Sequence, residues 1–145
     1  MEAEARKLVA LLGGRKVVRH AVSEPADLAE AIRRGLPYAT FEALLRVLKV
    51  RPRDLARLVG VAARTLARRK SGGELSPIES DRLYRVAHAT LRASETLGSL
   101  DKARSWLHGK NRALGGRSPI SCLDTGIGAR QVEEILERIG HGIYS

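Results

Sequence analysis

A chain of 145 residues, 43% hydrophobic and 29% charged, is long enough for one medium domain or two small ones, and its +10 formal charge points to an anionic partner. Aromatic residues are only 3% of the chain, so the core must be built from Leu, Val, Ile and Ala, the vocabulary of helices. No apolar run approaches the roughly 18 residues of a membrane span, the start MEAEARKLVALLGG has no secretory pattern, and a single Cys122 excludes an intramolecular disulfide, so an all-α cytoplasmic protein is expected.

Met1, Ala5, Leu8, Val9 and Leu12 recur at helical spacing until Gly13-Gly14, a pattern that fits either an amphipathic helix or a frayed leader. Residues 15–22 (RKVVRHAV) hold β-branched residues with no partner strand, which predicts a connector in extended form. Ser23-Glu24-Pro25 marks a helix start, with Asp27 in the first turn, Leu28, Ala31 and Ile32 inward, and Gly35 as the stop. Residues 1–35 therefore form an N-terminal helical extension. Leu36-Pro37 opens the next unit, in which Thr40 is expected to cap a helix from Phe41 to Lys49 with Phe41, Leu44, Leu45 and Leu48 on one side.

The stretch Pro52 to Ser71 reads as a helix-turn-helix. Leu55, Ala56, Leu58 and Val59 make one helical face, Gly60 breaks it, and Val61, Leu66 and Ala67 make a second. A sharp turn between helices needs a residue free of Cβ crowding at positive φ, which is the role of Gly60. Residues 51–70 carry seven basic side chains against the single acid Asp54, and so contribute +6 of the chain's +10. Concentrated basic charge on one short element is the footprint of a phosphate-binding surface, although a solvated basic helix pair in a small bundle would read the same way. Arg64, Thr65, Arg68 and Arg69, early in the second helix, are the candidates for reading base edges. Arg51, Arg53, Arg57 and Lys70 are better suited to phosphates, which set register without reading sequence.

Ser76-Pro77-Ile78-Glu79 combines a cap, a proline at the first helical position and a Glu three residues on, predicting a helix that buries Leu83, Val86, Ala87 and Leu91. Residues 36–95 thus form a helix-turn-helix DNA-binding domain of repressor type. From residue 96 the chain is nearly neutral, contributing +2 of the +10. Ser99 opens a helix through Trp106 and Leu107 that Gly109 ends; Ser118-Pro119 opens a second with Ile120 and Leu123, stopped by Gly126. A third covers residues 129–139, with Val132, Ile135, Leu136 and Ile139 on one face. Three such short helices bury little alone, so residues 96–145 are expected to rest on a partner or a second copy. Trp106 is expected in the core of this unit as its main hydrophobic mass.

The run Trp106-Leu107, Asn111-Arg112-Ala113-Leu114-Gly115-Gly116, Ser118-Pro119-Ile120, Leu123-Asp124-Thr125, Gly128-Ala129-Arg130, Val132-Glu133-Glu134, Leu136, Arg138-Ile139 and Gly142-Ile143-Tyr144 resembles the toxin-binding domain of Xre/MbcA/ParS-type antitoxins. Residues 36–95 resemble the Xre-type helix-turn-helix domain that usually precedes it. The resemblance implies a cognate toxin of the RES-domain class, whose members look like NAD-consuming enzymes. It also implies an antitoxin that holds the toxin's active site closed through its C-terminal domain and represses its own operon through the other.

The last residues are the natural instrument for such occlusion. Ile143 and Tyr144 follow the glycines Gly140 and Gly142, able to enter a cleft, while Arg138 and His141 could meet acidic or polar groups at its mouth, with Ser145 closing the tail. The same tail could instead fold back over Trp106 and the last helix. A homodimer is expected, because one helix-turn-helix spans half of a palindromic site. The alternative function is a stand-alone helix-turn-helix regulator whose C-terminal domain only dimerises; a third is a small nucleic-acid-binding bundle with no toxin.

His20, His88, His108, His141 and Cys122 show no metal-ligand spacing, and neither Ser121 nor Cys122 has a His or acid placed to activate it. The glycine pairs 13–14, 72–73 and 115–116 lack the strand–loop–helix setting of a phosphate loop. No catalytic residue, cofactor or metal is expected.

Overall fold

The computed structural model describes residues 2–19 and 21–142, and these form helices joined by short turns, with no strand among the described residues. In chain order they are α1 (Glu2–Leu11), α2 (Arg15–Val18), α3 (Pro25–Arg34), α4 (Tyr38–Leu48), α5 (Pro52–Val59), α6 (Ala63–Lys70), α7 (Pro77–Leu97), α8 (Leu100–His108) and α9 (Gly126–Gly140). Two 3-10 turns, Arg112–Leu114 and Ile120–Asp124, fill the span between α8 and α9. The chain divides into two compact units, Met1–Ala87 and His88–Ser145. The division falls inside α7, ahead of the composition change near residue 96, because α7 runs unbroken for 21 residues and its second half packs with the later helices.

In the first unit α1 is a packed helix and not a frayed leader. Ala5, Leu8, Val9 and Leu12 are all buried, and α1 lies against α2, α3 and α4. Where a connector was expected over residues 15–22, residues 15–18 make a helical turn instead of an extended segment. The amides of Val17 and Val18 donate to the Gly14 carbonyl, and Val18 is fully buried. Burial of that one valine decides against the β-branched preference, which is weak over four residues.

Helix α3 starts at Pro25, where Asp27 accepts from the backbone N–H groups of Ser23 and Glu24 at 3.0 and 3.2 Å. Leu28 and Ala31 are buried as expected, while Ile32 is half-buried. Helix α4 begins at Tyr38, three residues before the expected start. Thr40 is therefore not its cap: the fully buried hydroxyl donates back to the Pro37 carbonyl at 2.7 Å. The reason is tertiary. Residues 36–38 run antiparallel to residues 73–75, with Leu75 N–H donating to Leu36 O at 2.8 Å and Tyr38 N–H to Gly73 O at 3.2 Å. The buried Ser80 hydroxyl accepts from Leu36 N–H at 2.8 Å, so the segment leading into α4 is held from outside and the helix can start directly after Pro37. Phe41, Leu44, Leu48, Leu55, Val59, Leu75 and Leu83 fill the core, and the Phe41 ring stacks on Tyr38.

In the second unit Ser99 caps α8 by accepting from Lys102 N–H at 3.1 Å, and Gly109 follows its end, as the sequence predicts. Ala103 and Leu107 are buried, but Trp106 is only half-buried, against the expectation that it forms the core. With Ala103 and Leu107 facing inward four residues apart, position 106 falls about 100° before Leu107, on the flank of the helix. The inward mass comes from Leu107, Leu114, Ile120, Leu123, Val132 and Leu136. Cys122 is buried among them as a small apolar residue. Helix α9 begins at Gly126, so that glycine starts the last helix where a stop was expected, and Thr125 caps it by accepting from Gly128 N–H at 2.9 Å. Ile139, expected on the buried face, is half-buried.

Candidate functional site

The helix-turn-helix is built as its sequence requires. Helix α5 buries Leu55, Ala56, Leu58 and Val59, and Gly60 takes the left-handed conformation at φ 79°. A side chain at Gly60 would also run into the Arg82 guanidinium, which lies across the end of α5 and donates to the Val59 carbonyl at 3.5 Å. Val61 is buried in the turn and Leu66 half-buried beneath α6, which packs on α4 and α5. Ala67, expected beside Leu66 on the inner face, is exposed: one residue is 100° of helix, and Leu66 already points inward. Helix α6 has no fully buried residue: Thr65, Leu66 and Arg69 are half-buried and the other five are exposed.

That geometry separates the proposed DNA-contacting residues. Arg64 and Arg68 stand four apart on the outer face of α6 and are both exposed. Thr65 and Arg69 lie along the edge of the inner face and are half-buried. The Arg69 guanidinium is already engaged. Its Nε and Nη2 donate to the Glu79 carboxylate at 3.3 and 3.5 Å, and the two side chains are 28% and 13% exposed. Glu79 simultaneously accepts from Ser76 N–H at 2.8 Å in the capping box that opens α7, so this one carboxylate clamps α6 to α7. Arg53, Arg57 and Lys70 are exposed, with Arg53 and Arg57 again four apart, on α5; Arg51 is held by Asp54 at 3.1 Å. The structure thus presents five exposed cations on α5–α6 and uses Arg69 as a brace.

In the second unit, Arg138 is exposed on the last turn of α9, and His141 and Gly142 follow it, also exposed. Ile143, Tyr144 and Ser145, expected to enter a partner's cleft, lie outside the described residues, as do Met1 and His20. His88 on α7 meets Glu133 on α9 at 2.9 Å, a polar tie within the unit. Sequence reasoning missed the position of Trp106, which lines an open groove with Leu97, Lys102, Ser105 and Lys110. The helical offset from Ala103 and Leu107 was the available signal. Among the described residues no group of His, Cys, Asp and Glu could hold a metal ion, and no helix is long and apolar enough to cross a membrane.

Two family models match this arrangement: the antitoxin Xre-like helix-turn-helix domain over residues 27–88, and the antitoxin Xre/MbcA/ParS C-terminal toxin-binding domain over residues 92–142. An Antitoxin Xre of Photorhabdus laumondii is 34% identical over 125 residues, covering 85% of this chain and 84% of that protein. The chain belongs to the Xre antitoxin family. The Antitoxin Xre of Yersinia enterocolitica is 29% identical over 120 residues, covering 81% of each. A chain from the crystal structure of the M. tuberculosis MbcT–MbcA toxin–antitoxin complex superposes with a TM-score of 0.57 at 20% identity, covering 74% of this Xre-family chain and 96% of that one, a likeness of fold. The helix-turn-helix match starts within α3 and ends within α7.

Proposed function

We propose that this Xre-family chain is an antitoxin that binds a cognate RES-type, NAD-consuming toxin through its C-terminal unit, occludes the toxin's active site, and represses its own operon as a dimer through α5–α6. The observation that carries the reading is the match of residues 92–142 to the toxin-binding domain, in a chain whose preceding unit carries a helix-turn-helix with exposed cations. Inhibition works by protein–protein occlusion and not by chemistry of the antitoxin's own. Arg138, His141, Gly142, Ile143, Tyr144 and Ser145 form the inserting end: an apolar pair behind a basic and an imidazole group, on a stretch whose Gly142 has φ 71°. On the DNA, Arg64 and Arg68 read base edges with Thr65 beside them, and Arg53, Arg57 and Lys70 meet phosphates. Arg69 contributes by holding the angle of α6, since its guanidinium is committed to Glu79. The complex forms in the cytoplasm.

Co-expression with the product of the adjacent gene tests the reading. The full chain is expected to co-purify with a toxin that cannot be expressed without it and that depletes NAD. It is also expected to shift a fragment of its own promoter in a salt-dependent manner. A neighbouring product that neither binds nor harms the host would leave a stand-alone regulator and overturn the antitoxin reading.

A further inference from the structure

The Trp106 groove lies next to the root of the inserting end. A Cβ added at Gly140, the last residue of α9, would stand 3.8 Å from Thr96 Cγ2, and the next residue, Leu97, lines the groove. The groove measures about 620 Å³ and is shallow and open, a shape that suits a protruding side chain of another protein better than an enclosed small molecule. Trp106 and Leu97, both half-buried, supply its apolar wall, and exposed Lys102 and Lys110 stand at its rim. The acid there, Asp101, is taken up by Arg104, which leaves the rim cationic.

We infer that this groove is a second toxin contact, receiving a large apolar side chain flanked by carboxylates on the toxin surface. The inference rests on the antitoxin reading above. Five residues, 141–145, are far fewer than the roughly 20–30 per side of a stable protein interface, so a toxin gripped by them must also touch the folded unit. The groove is the apolar surface that begins where those residues leave α9. Ile127, the large exposed apolar residue among the described residues of this unit, stands at the opposite end of α9, about 20 Å away. Trp is also among the residue types enriched at the positions that dominate interface energetics.

Trp106 is the chain's sole tryptophan, which makes the test direct. The full-length antitoxin labelled with 5-fluorotryptophan gives one fluorine resonance, expected to shift when unlabelled toxin is added. Trp106→Ala and the double variant Lys102→Glu/Lys110→Glu are each expected to weaken toxin binding roughly tenfold or more. The double variant changes exposed groups only, so its effect stands even if Trp106→Ala melts early. Toxin binding with an unmoved resonance and both variants within twofold of the parent would overturn the groove while leaving the antitoxin reading intact. A resonance that moves with antitoxin concentration and not with toxin would assign the groove to a second copy and overturn it too. Failure of the parent chain to bind the toxin at all would remove the antitoxin reading itself.

Discussion

Gly128 is buried where the first turn of α9 crosses the preceding 3-10 turn. A Cβ there would collide with the Cys122 carbonyl oxygen and stand 3.0 Å from Thr125 Oγ1. Both neighbours are backbone or capping groups that cannot swing aside. Gly128→Ala is therefore expected to lower stability by about 1–3 kcal/mol despite alanine's better helix propensity, measured by chemical denaturation. Asp27 is the opposite case, a half-buried residue at a helix start whose effect depends on pH. The backbone N–H groups of Ser23 and then Glu24 hold its carboxyl below the ordinary 3.8. A depressed carboxyl stabilises the fold above its unfolded value and loses that contribution as pH falls through the folded one. Asp27→Ala should thus lower Tm at pH 7, and the gap from the parent should close as the pH is taken below 3.8. A gap that persists in acid would mean that the cap is not electrostatic.

At the scale of the element, α6 is a helix held chiefly by its neighbours. Eight residues are too few for stability in water, and the helix buries none of them fully. Half-buried Leu66 and the Arg69–Glu79 clamp keep it in place, which frees Arg64 and Arg68 for a ligand. Arg68→Ala is expected to cost about 1–3 kcal/mol in operator affinity and relax one base position, with no change in Tm. Arg57→Ala should weaken binding to all sequences alike and lower the slope of log affinity against log salt by about one, the share of a single phosphate. Arg69→Ala should differ from both by lowering the melting temperature as well as operator affinity. If Arg68→Ala left an operator titration unchanged, the outer face of α6 would not be the reading face.

The whole molecule joins two compact units of different charge through one helix. Residues 51–70 carry +6 and residues 96–145 carry +2, so the strongly cationic surface belongs to the first unit and the nearly neutral one to the second. Their activities should be separable. Deleting residues 141–145 is expected to abolish toxin neutralisation in a growth assay and leave operator binding within twofold of the parent. Full protection by the shortened chain would relocate the inhibitory contact to the folded part of the second unit. Because α7 belongs to both units, a cut at residue 96 would sever a helix whose second half carries His88 and Thr96 into the later fold. Dissection is better made by substitution than by truncation there.

Much of this was legible from residue order alone. The helical class, the buried face of α5, the turn at Gly60, the capping box at Ser76–Glu79 and the helix capped by Ser99 are local matters. Each depends on residues within one turn of one another, where spacing and propensity act directly. Family membership was equally legible, since it rests on the order of residue types. Tertiary structure alone decided the rest. It curled residues 15–18 into a turn to bury Val18 and moved the start of α4 by pairing residues 36–38 with 73–75. It committed Arg69 to Glu79 and turned Trp106 to the edge of a groove. In each case the deciding partner is distant in the chain or lies across the helix. The free energy of burial and pairing there exceeds the few tenths of a kcal/mol by which local preference separates the alternatives.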